Sequence, residues 1–381
     1  MAEKRFSIGG MVVRAAVFLA LAIPIVLFQA DRSSRGNPAF AMNLPQGIGG
    51  FADYERARFW IDSDPEMAVA SAEDVLRHRP VAARNLSLYA VSQVRSGNME
   101  QAAAALSLAS TRGWRDEYVQ INTLASFVAD ANYPAALQRF QALIRARRSD
   151  VITAAAGEYI LAEDGAAPVM AQALTADAEF ARRVIDLGRV NDNFSRMLAG
   201  PVEIAERSAH PLACDNLAKY AEIMLRQGNP SIADRAYPDR CDSERDKSLA
   251  FTQGDEDNPF RWSYPGDGAT SVSVDPEKQV LSTKNRSPAR KQVAVRHLRL
   301  SAGPQVLIAS HEVNKSVMGI GGVADIELRV RCGGRSSNRS LRVEKRGPDE
   351  FAFDVPQDCP VQYLGVFVGR GELDGLRLSL R

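Results

Sequence analysis

The sequence has few of the side chains from which metal and nucleophilic sites are usually built. Its 381 residues include only four histidines and four cysteines, and no Cys-x-x-Cys or His-x-x-x-His spacing occurs. The glycine-rich stretch at residues 318–322 lacks the Lys and the Ser/Thr of a phosphate-binding loop. We therefore expect no metal and no other cofactor, and no motif identifies the chain as an enzyme.

An overall excess of charge is also lacking. The 47 Lys/Arg are balanced by 46 Asp/Glu, which leaves a net charge of +1. Such a chain has no general attraction for nucleic acid, which we do not expect as a partner. The charge is unevenly distributed, however, because residues 270–381 hold 18 Lys/Arg against 12 Asp/Glu.

Long hydrophobic runs are absent except at the N-terminus. Residues 8–28 contain a single charge, Arg14, and Lys4 and Arg5 precede them. These 21 residues match the ~20 needed to cross a bilayer, and the leading positive charge places the N-terminus in the cytoplasm. The alternative is a cleaved signal peptide, for which Ala39-Phe40-Ala41 fits the cleavage pattern.

Both interpretations export the bulk of the chain, which in a bacterium means the periplasm, and retention gives a single-pass protein of the inner (cytoplasmic) membrane. The cysteines agree with an oxidising compartment. They form two pairs, Cys214 with Cys241 and Cys332 with Cys359, each 27 residues apart. Four cysteines allow three connectivities. Pairing within each domain is the simplest, and four free buried thiols are the alternative.

The middle of the chain nearly repeats itself at a spacing of 34 residues. Gly97-Asn98-Met99 recurs as Ala131-Asn132-Tyr133, and Ala102 recurs as Ala136. A repeat of this length is typical of stacked helical hairpins. Such an array buries each hairpin against its neighbours and leaves a long concave surface, which favours binding of a peptide or protein segment.

These residues resemble the tetratricopeptide repeat family over about residues 50–148. Small residues stand where two helices of that family approach closely, at Ala90, Ala102 and Ala109. The match departs from the family at Gln93 and Gln120, where large apolar residues are usual. The resemblance implies a protein partner, and the candidate contact residues are Arg95, Asn98, Asn132 and Arg139.

Beyond an acidic stretch, the periodicity changes from helical to alternating. Ile326, Leu328 and Val330 alternate with polar residues, as strands with one buried face require. About eight strands are predicted between residues 270 and 380. Their number and their turns are typical of an antiparallel sandwich of the jelly-roll kind.

The start of this region resembles carbohydrate-binding sandwiches. Trp262 and Tyr264 would supply an aromatic platform for a sugar ring and Arg261 a hydrogen-bond donor. The alternative is that Trp262 packs in the core. The basic excess suits an acidic polysaccharide and would equally suit an anionic membrane surface.

The predicted fold class is therefore a multidomain α + β protein. We expect a membrane anchor at residues 1–30, a spacer at 31–49, a tetratricopeptide-like α-solenoid at 50–238, an acidic linker at 239–258 and a β-sandwich at 259–381. The expected function is that of an exported scaffold in cell-envelope or exopolysaccharide assembly. A structural assembly factor without glycan affinity is one alternative, and a hydrolase using Asp325 or Glu327 with Asp349 is another.

Overall fold

The computed structural model describes residues 8–113, 116–147, 149–241, 248–255, 257–312, 324–334 and 337–381. The chain is of the α + β type and divides into two compact units, Met1–Arg148 and Ser149–Arg381. The first unit is helical, whereas the second combines helices with two antiparallel sheets. The glycine-rich stretch at 318–322 and the acidic residues at 242–247 lie outside the described residues.

Consecutive helices of the first unit pack as pairs. Helix α3 contacts α4, α5 contacts α6 and α7 contacts α8, and α5 also contacts both α3 and α7. The closest approaches use small residues, since Ala57, Ala72, Ala90 and Ala136 are fully buried. The helices are α1 Ile8–Ser33, α2 Pro38–Met42, α3 Gly50–Trp60, α4 Pro65–His78, α5 Ala83–Arg95, α6 Met99–Arg112, α7 Glu117–Ala129 and α8 Tyr133–Ala146.

The turns within these pairs share one geometry. The amide of Asn98 donates to the carbonyl of Gln93, and the amide of Asn132 donates to the carbonyl of Phe127, each at 2.8 Å. The preceding residues are left-handed, with φ of 85° at Gly97 and 53° at Ala131. This is the Schellman arrangement, in which a left-handed residue satisfies the last carbonyls of a helix. The same arrangement recurs in the second unit at Gly228-Asn229.

The segment between α1 and α3 is packed rather than extended. Asp31, in the last turn of α1, is 4% exposed, and its carboxylate accepts hydrogen bonds from the amides of Phe51 (3.0 Å) and Ala52 (2.8 Å) at the start of α3. Gly49 makes this approach possible, because a Cβ at that position would lie 2.4 Å from the carboxylate. The expected spacer at 31–49 is therefore part of the folded first unit.

The second unit begins with helices of less regular length. They are α9 Asp150–Leu161, α10 Ala166–Ala176, α11 Ala178–Leu187, α12 Asp192–Met197, α13 Ala199–Glu206, α14 Cys214–Arg226 and α15 Pro230–Ala236, followed by a 3₁₀ turn at Asp239–Cys241. Helix α14 contacts α15, α11 and α12, so these helices form one packed group.

Two antiparallel sheets follow. The six-stranded sheet has the order β1-β2-β10-β4-β8-β7, and the four-stranded sheet has the order β3-β9-β5-β6. The strands are β1 Thr270–Asp275, β2 Val280–Asn285, β3 Lys291–Leu298, β4 Gly303–Glu312, β5 Ile326–Cys332, β6 Ser340–Leu341, β7 Glu344–Lys345, β8 Glu350–Val355, β9 Gln362–Val368 and β10 Gly371–Leu380. Strand β2 was not expected from the sequence, and its Leu281 is fully buried.

One hydrophobic core is shared by both sheets and by the segment that precedes them. Leu281, Leu307 and Val366 are fully buried in it together with Phe251 and Trp262. Residue 251 lies within the range 239–258 that was expected to be an acidic linker, but it belongs to this core. The indole of Trp262 donates to the carbonyl of Ala250 at 3.0 Å, which ties this segment to the strands.

Both cysteine pairs are disulfide-bonded. Cys214 at the start of α14 joins Cys241 in the 3₁₀ turn, with 5.4 Å between their Cα atoms. Cys332 at the end of β5 joins Cys359, which precedes β9, with 5.5 Å between Cα atoms. The pairing within each half is thus the simplest one allowed by four cysteines.

The two repeat turns offer a matched test of backbone strain. A Cβ at Gly97 would meet no atom within 4 Å, so Gly97→Ala changes only the cost of a left-handed residue. We expect it to lower the free energy of unfolding by about 1 kcal/mol, and Ala131→Gly to raise it by a smaller amount. Thermal unfolding followed by circular dichroism measures both. The control is Gly200→Ala, at an equally uncrowded position near the start of helix α13, which should be stabilising. Destabilisation by Ala131→Gly would contradict the conclusion that the turns at residues 97 and 131 share a left-handed geometry.

Candidate functional site

The second unit contains a half-open cleft between helix α14 and strand β3. Its volume is about 650 Å³. Charged groups of both signs line it, with Glu222 and Arg226 on the helix and Asp255 and Arg261 on the segment before the sheets. A second cavity of about 760 Å³ shares Arg296 and His297 with it and extends toward Tyr237 and Arg299. The cleft is concave and mixed in polarity, as sites for polar ligands are.

Trp262 and Tyr264 do not form the sugar platform expected of them. Trp262 is fully buried, and its ring packs 4.7 Å from that of Phe251. The Tyr264 hydroxyl donates to the carbonyl of Thr252 at 2.6 Å, and burial raises its pKa. Both aromatics hold the segment around Phe251 against the sheets, and Trp262, which is fully buried, presents no open face to a ligand.

Arg261 is the one residue of that predicted set whose side chain lines the cleft. It is 39% exposed and pairs with Asp255 at 3.2 Å. The segment that carries Arg261 is held in place by Asn258. The side chain of Asn258 accepts a hydrogen bond from the amide of Phe260 and donates one to the hydroxyl of Tyr237. The guanidinium is thus held at the mouth of the cleft beside a carboxylate.

His297 stands on β3 between the two cavities. Its Nδ1 donates to the carbonyl of Pro259 at 3.2 Å, whereas Nε2 is buried without a hydrogen-bond partner in the described part of the chain. Burial lowers the pKa of this imidazole to about 4. The ring meets Tyr363 edge-on, with 5.5 Å between centroids. His311 lies on β4 in the other sheet.

The residues predicted to contact a protein partner are held mainly by intramolecular contacts. Arg95 pairs with Asp62 at 3.1 Å on an exposed surface. The side-chain amide of Asn98 donates to Gln93 Oε1 at 2.9 Å, and the side chain of Asn132 caps α8 by accepting from the backbone amide of Ala135.

Arg139 is the fourth of this set. It donates to Gln120 Oε1 at 3.4 Å and lies over the Phe127 ring at 5.9 Å from its centroid. Burial lowers the pKa of its guanidinium. Only Arg95 of the four therefore carries a largely exposed charge.

The acidic residues considered for hydrolysis are not brought together. Asp325 and Glu327 belong to β5 and its approach, whereas Asp349 precedes β8 in the other sheet. Arg290 pairs with both Asp325 and Glu327, and the Arg329 guanidinium lowers the pKa of Glu327. A general acid needs a raised pKa, so this arrangement is that of a surface ion-pair network. No group of three or more His, Cys, Asp or Glu able to hold a metal ion occurs within the described ranges.

The sequence did not indicate Glu222 or Tyr363 as members of the cleft. Glu222 lies on α14 and Tyr363 on β9, some 140 positions apart in the chain. No local pattern marks either residue, since each fits the periodicity of its own element. Their proximity arises only when the last helices pack beside the sheets.

The lowered pKa of His297 predicts that the folded protein loses stability in acid. Its pKa in the folded protein, about 4, lies below the value of 6.5 for an unperturbed histidine. The unfolded chain therefore binds the proton first, and stability should fall by roughly 3 kcal/mol as the pH drops from 6.5 through 4. His297→Asn keeps the donor to Pro259 and should flatten that part of the stability profile measured by chemical denaturation. An unchanged pH profile in the variant would contradict the assignment; His78→Asn, at an exposed helix end, is the control.

Comparison with known proteins supplies no family assignment for this arrangement. The candidate features are therefore defined by their own geometry. They are the polar cleft beside Arg261 in the second unit and, separately, the helical first unit with its apolar helix. No protein-family model matches the sequence, and no curated protein is significantly similar to it.

Proposed function

We propose that this protein is a membrane-anchored, extracytoplasmic scaffold that binds a protein partner through its helical first unit. Helices α3 to α8 act as a tetratricopeptide-like solenoid, and the two sheets form a β-sandwich of the jelly-roll kind. The site of action is cell-envelope or exopolysaccharide assembly. The observation that carries the proposal is the capping of α3 by Asp31.

The apolar helix supports anchoring by its length and by its exposed surface. Residues Ala16–Ser33 have a mean hydropathy of 1.5, and 6% of them are buried. Phe18, Leu21 and Phe28 are all more than 60% exposed. A helix of this composition with an apolar surface is expected to lie in lipid, but a signal sequence has the same composition.

Asp31 favours a retained helix over a cleaved one. Cleavage after Ala41 would remove the carboxylate that satisfies two amides at the start of α3. It would also leave Gly49 and the α3 terminus without their buried partner. A buried N–H group that loses its acceptor costs about 1–3 kcal/mol. The folded first unit therefore depends on a residue of the apolar helix itself.

The paired helices support partner binding. Each pair contacts the next, and α5 contacts both α3 and α7, so the odd-numbered helices line one face of the group. Repeated hairpins of this kind bind extended segments along such a face. The two disulfides support an extracytoplasmic location, because structural disulfides persist in oxidising compartments.

The anchoring role of Asp31 is tested by Asp31→Ala in the full chain. Loss of the cap costs about 2 kcal/mol, so amide exchange in the peptide spanning residues 50–56 should accelerate about 30-fold. Hydrogen exchange with mass spectrometry measures it. Asp64→Ala removes the cap of α4, which accepts from Met67 at 3.1 Å, and should leave the α3 peptide unchanged.

The same preparation tests the topology. A C-terminal epitope should remain with membranes after carbonate extraction and be accessible from the extracytoplasmic side. A mature N-terminus at or beyond residue 31 would refute the anchor. Capture of the full chain from native membranes then separates the two assembly roles, since polysaccharide-export components favour the first and outer-membrane assembly components favour a purely structural one.

A second candidate function is glycan binding at the cleft, favoured by Arg261 and Tyr363 beside Glu222 and Asp255. Donors and acceptors set close together suit hydroxyl and carboxylate groups of an acidic polysaccharide. Arg261→Ala should weaken binding to an acidic polysaccharide array about tenfold. Arg381 also pairs with a single carboxylate, that of Glu350 at 3.3 Å, but it lies outside the cleft. Arg381→Ala is therefore the control and should leave binding unchanged. Equal effects of the two variants, or no binding, would exclude this candidate.

A further inference from the structure

Three arginines of the first unit converge on the ring of Phe51 at the start of α3. The guanidinium carbon of Arg79 lies 3.6 Å from the ring centroid, that of Arg35 lies 5.7 Å away and that of Arg84 lies 6.0 Å away. Arg84 also lies over the ring of Tyr54 at 5.0 Å. Three positive charges therefore occupy a sphere of 6.0 Å radius around one phenyl ring.

Within the described residues, none of these three guanidiniums has a carboxylate within ion-pair distance. The acidic groups of the neighbouring segments are already engaged. Asp31 accepts from the start of α3, Asp53 pairs with Arg56 at 2.6 Å and Glu55 accepts from Gly36 and Arg58. Cation–π contact offsets part of the mutual repulsion, but it removes no charge.

The chain positions these arginines by specific packing. A Cβ on Gly50 would lie 2.9 Å from Cδ of Arg79, so glycine at that position makes room for the side chain. The carbonyl of Arg79 accepts from the side chain of Asn85 at 2.8 Å, which holds the link between α4 and α5. Arg79 and Arg84 are half-buried, whereas Arg35 is exposed.

This arrangement suits a phosphate. Guanidinium groups bind phosphate oxygens through paired, charge-assisted hydrogen bonds, and several of them on one face match its tetrahedral shape. The ring of Phe51 is an apolar surface in contact with or close to all three guanidiniums. A carboxylate ligand would satisfy fewer of the available donors.

The position relative to the apolar helix selects the source of the phosphate. Phe28 is the last strongly exposed apolar residue of α1, and the helix ends at Ser33, roughly 8 Å further along its axis. That distance is about the depth of the headgroup layer of a bilayer. Arg35 follows two residues later.

We propose that Arg35, Arg79 and Arg84 bind the phosphate of an anionic phospholipid headgroup and thereby fix the first unit against the membrane surface. This rests on the proposed membrane anchoring, since a cleaved chain would lack Arg35 and the helix that brings lipid to the site. The phosphate chemistry itself does not depend on the anchor. Lipid and free phosphate can therefore be separated experimentally.

The test uses the full chain in neutral detergent with three additions, namely phosphatidylglycerol, phosphatidylcholine and inorganic phosphate. A ligand that binds only the folded state raises the unfolding temperature. Phosphatidylglycerol should raise it at concentrations at which phosphatidylcholine does not. Arg35→Gln/Arg79→Gln/Arg84→Gln should raise at least tenfold the phosphatidylglycerol concentration needed for the same shift. The control Arg77→Gln/Arg145→Gln/Arg147→Gln removes the same charge at exposed positions elsewhere in the unit and should respond as the wild type does.

Arg35→Gln alone guards against a folding defect in the triple variant, because this side chain is exposed, and it should give a smaller loss in the same direction. A response to inorganic phosphate at equal or lower concentration than to phosphatidylglycerol would assign the site to free phosphate and overturn the lipid assignment. Equal losses in the triple variant and its control, or no lipid response, would overturn the site altogether. Failure of anchoring alone would show as a chain that carbonate extracts from membranes but that still responds to phosphatidylglycerol.

Discussion

The first unit depends on one buried carboxylate. Asp31 belongs to the apolar helix by sequence and to the start of α3 by its hydrogen bonds. Around this contact, Arg56 reaches from α3 to the carbonyls of Leu44 and Pro45 while pairing with Asp53, so the intervening segment is held at both ends. The apolar helix α1 is in this way joined to the paired helices that follow it.

In the second unit, residues next to the strands are held by contacts with the last helices. Arg299 of the turn after β3 donates to the carbonyl of Tyr237 and pairs with Asp239, and the ring of Tyr237 stacks on Phe260 at 4.5 Å. Gly334, after β5, approaches the carbonyl of Leu225 so closely that any Cβ would collide with it. The cleft beside Arg261 exists because the last helices and the sheets are packed in this manner.

Polar residues inside the helical group explain why its predicted contact residues are occupied. Gln93 and Gln120 are each 1% exposed, at positions where apolar residues are usual in the tetratricopeptide repeats that this stretch resembles. A buried amide needs hydrogen-bond partners, and Asn98 and Arg139 supply them. The substitution of amides for apolar side chains thus turns two surface candidates into structural residues. Arg35, Arg79 and Arg84, which have no carboxylate partner in the described part of the chain, lie instead around Phe51.

The local elements follow from the sequence because they depend on near neighbours. Periodicity predicted most helices and most strands, and the repeat of Gly97-Asn98 at Ala131-Asn132 predicted equivalent turns. Pairing within each domain, the simplest of the three connectivities, is the disulfide pattern that forms. Strand β2 escaped because its pattern, with both Val280 and Leu281 buried, does not alternate. The cleft, the burial of Trp262 and the arginines around Phe51 were decided by tertiary structure alone. Each joins residues far apart in the chain, and side chains meeting across packed elements leave no periodic trace in either segment.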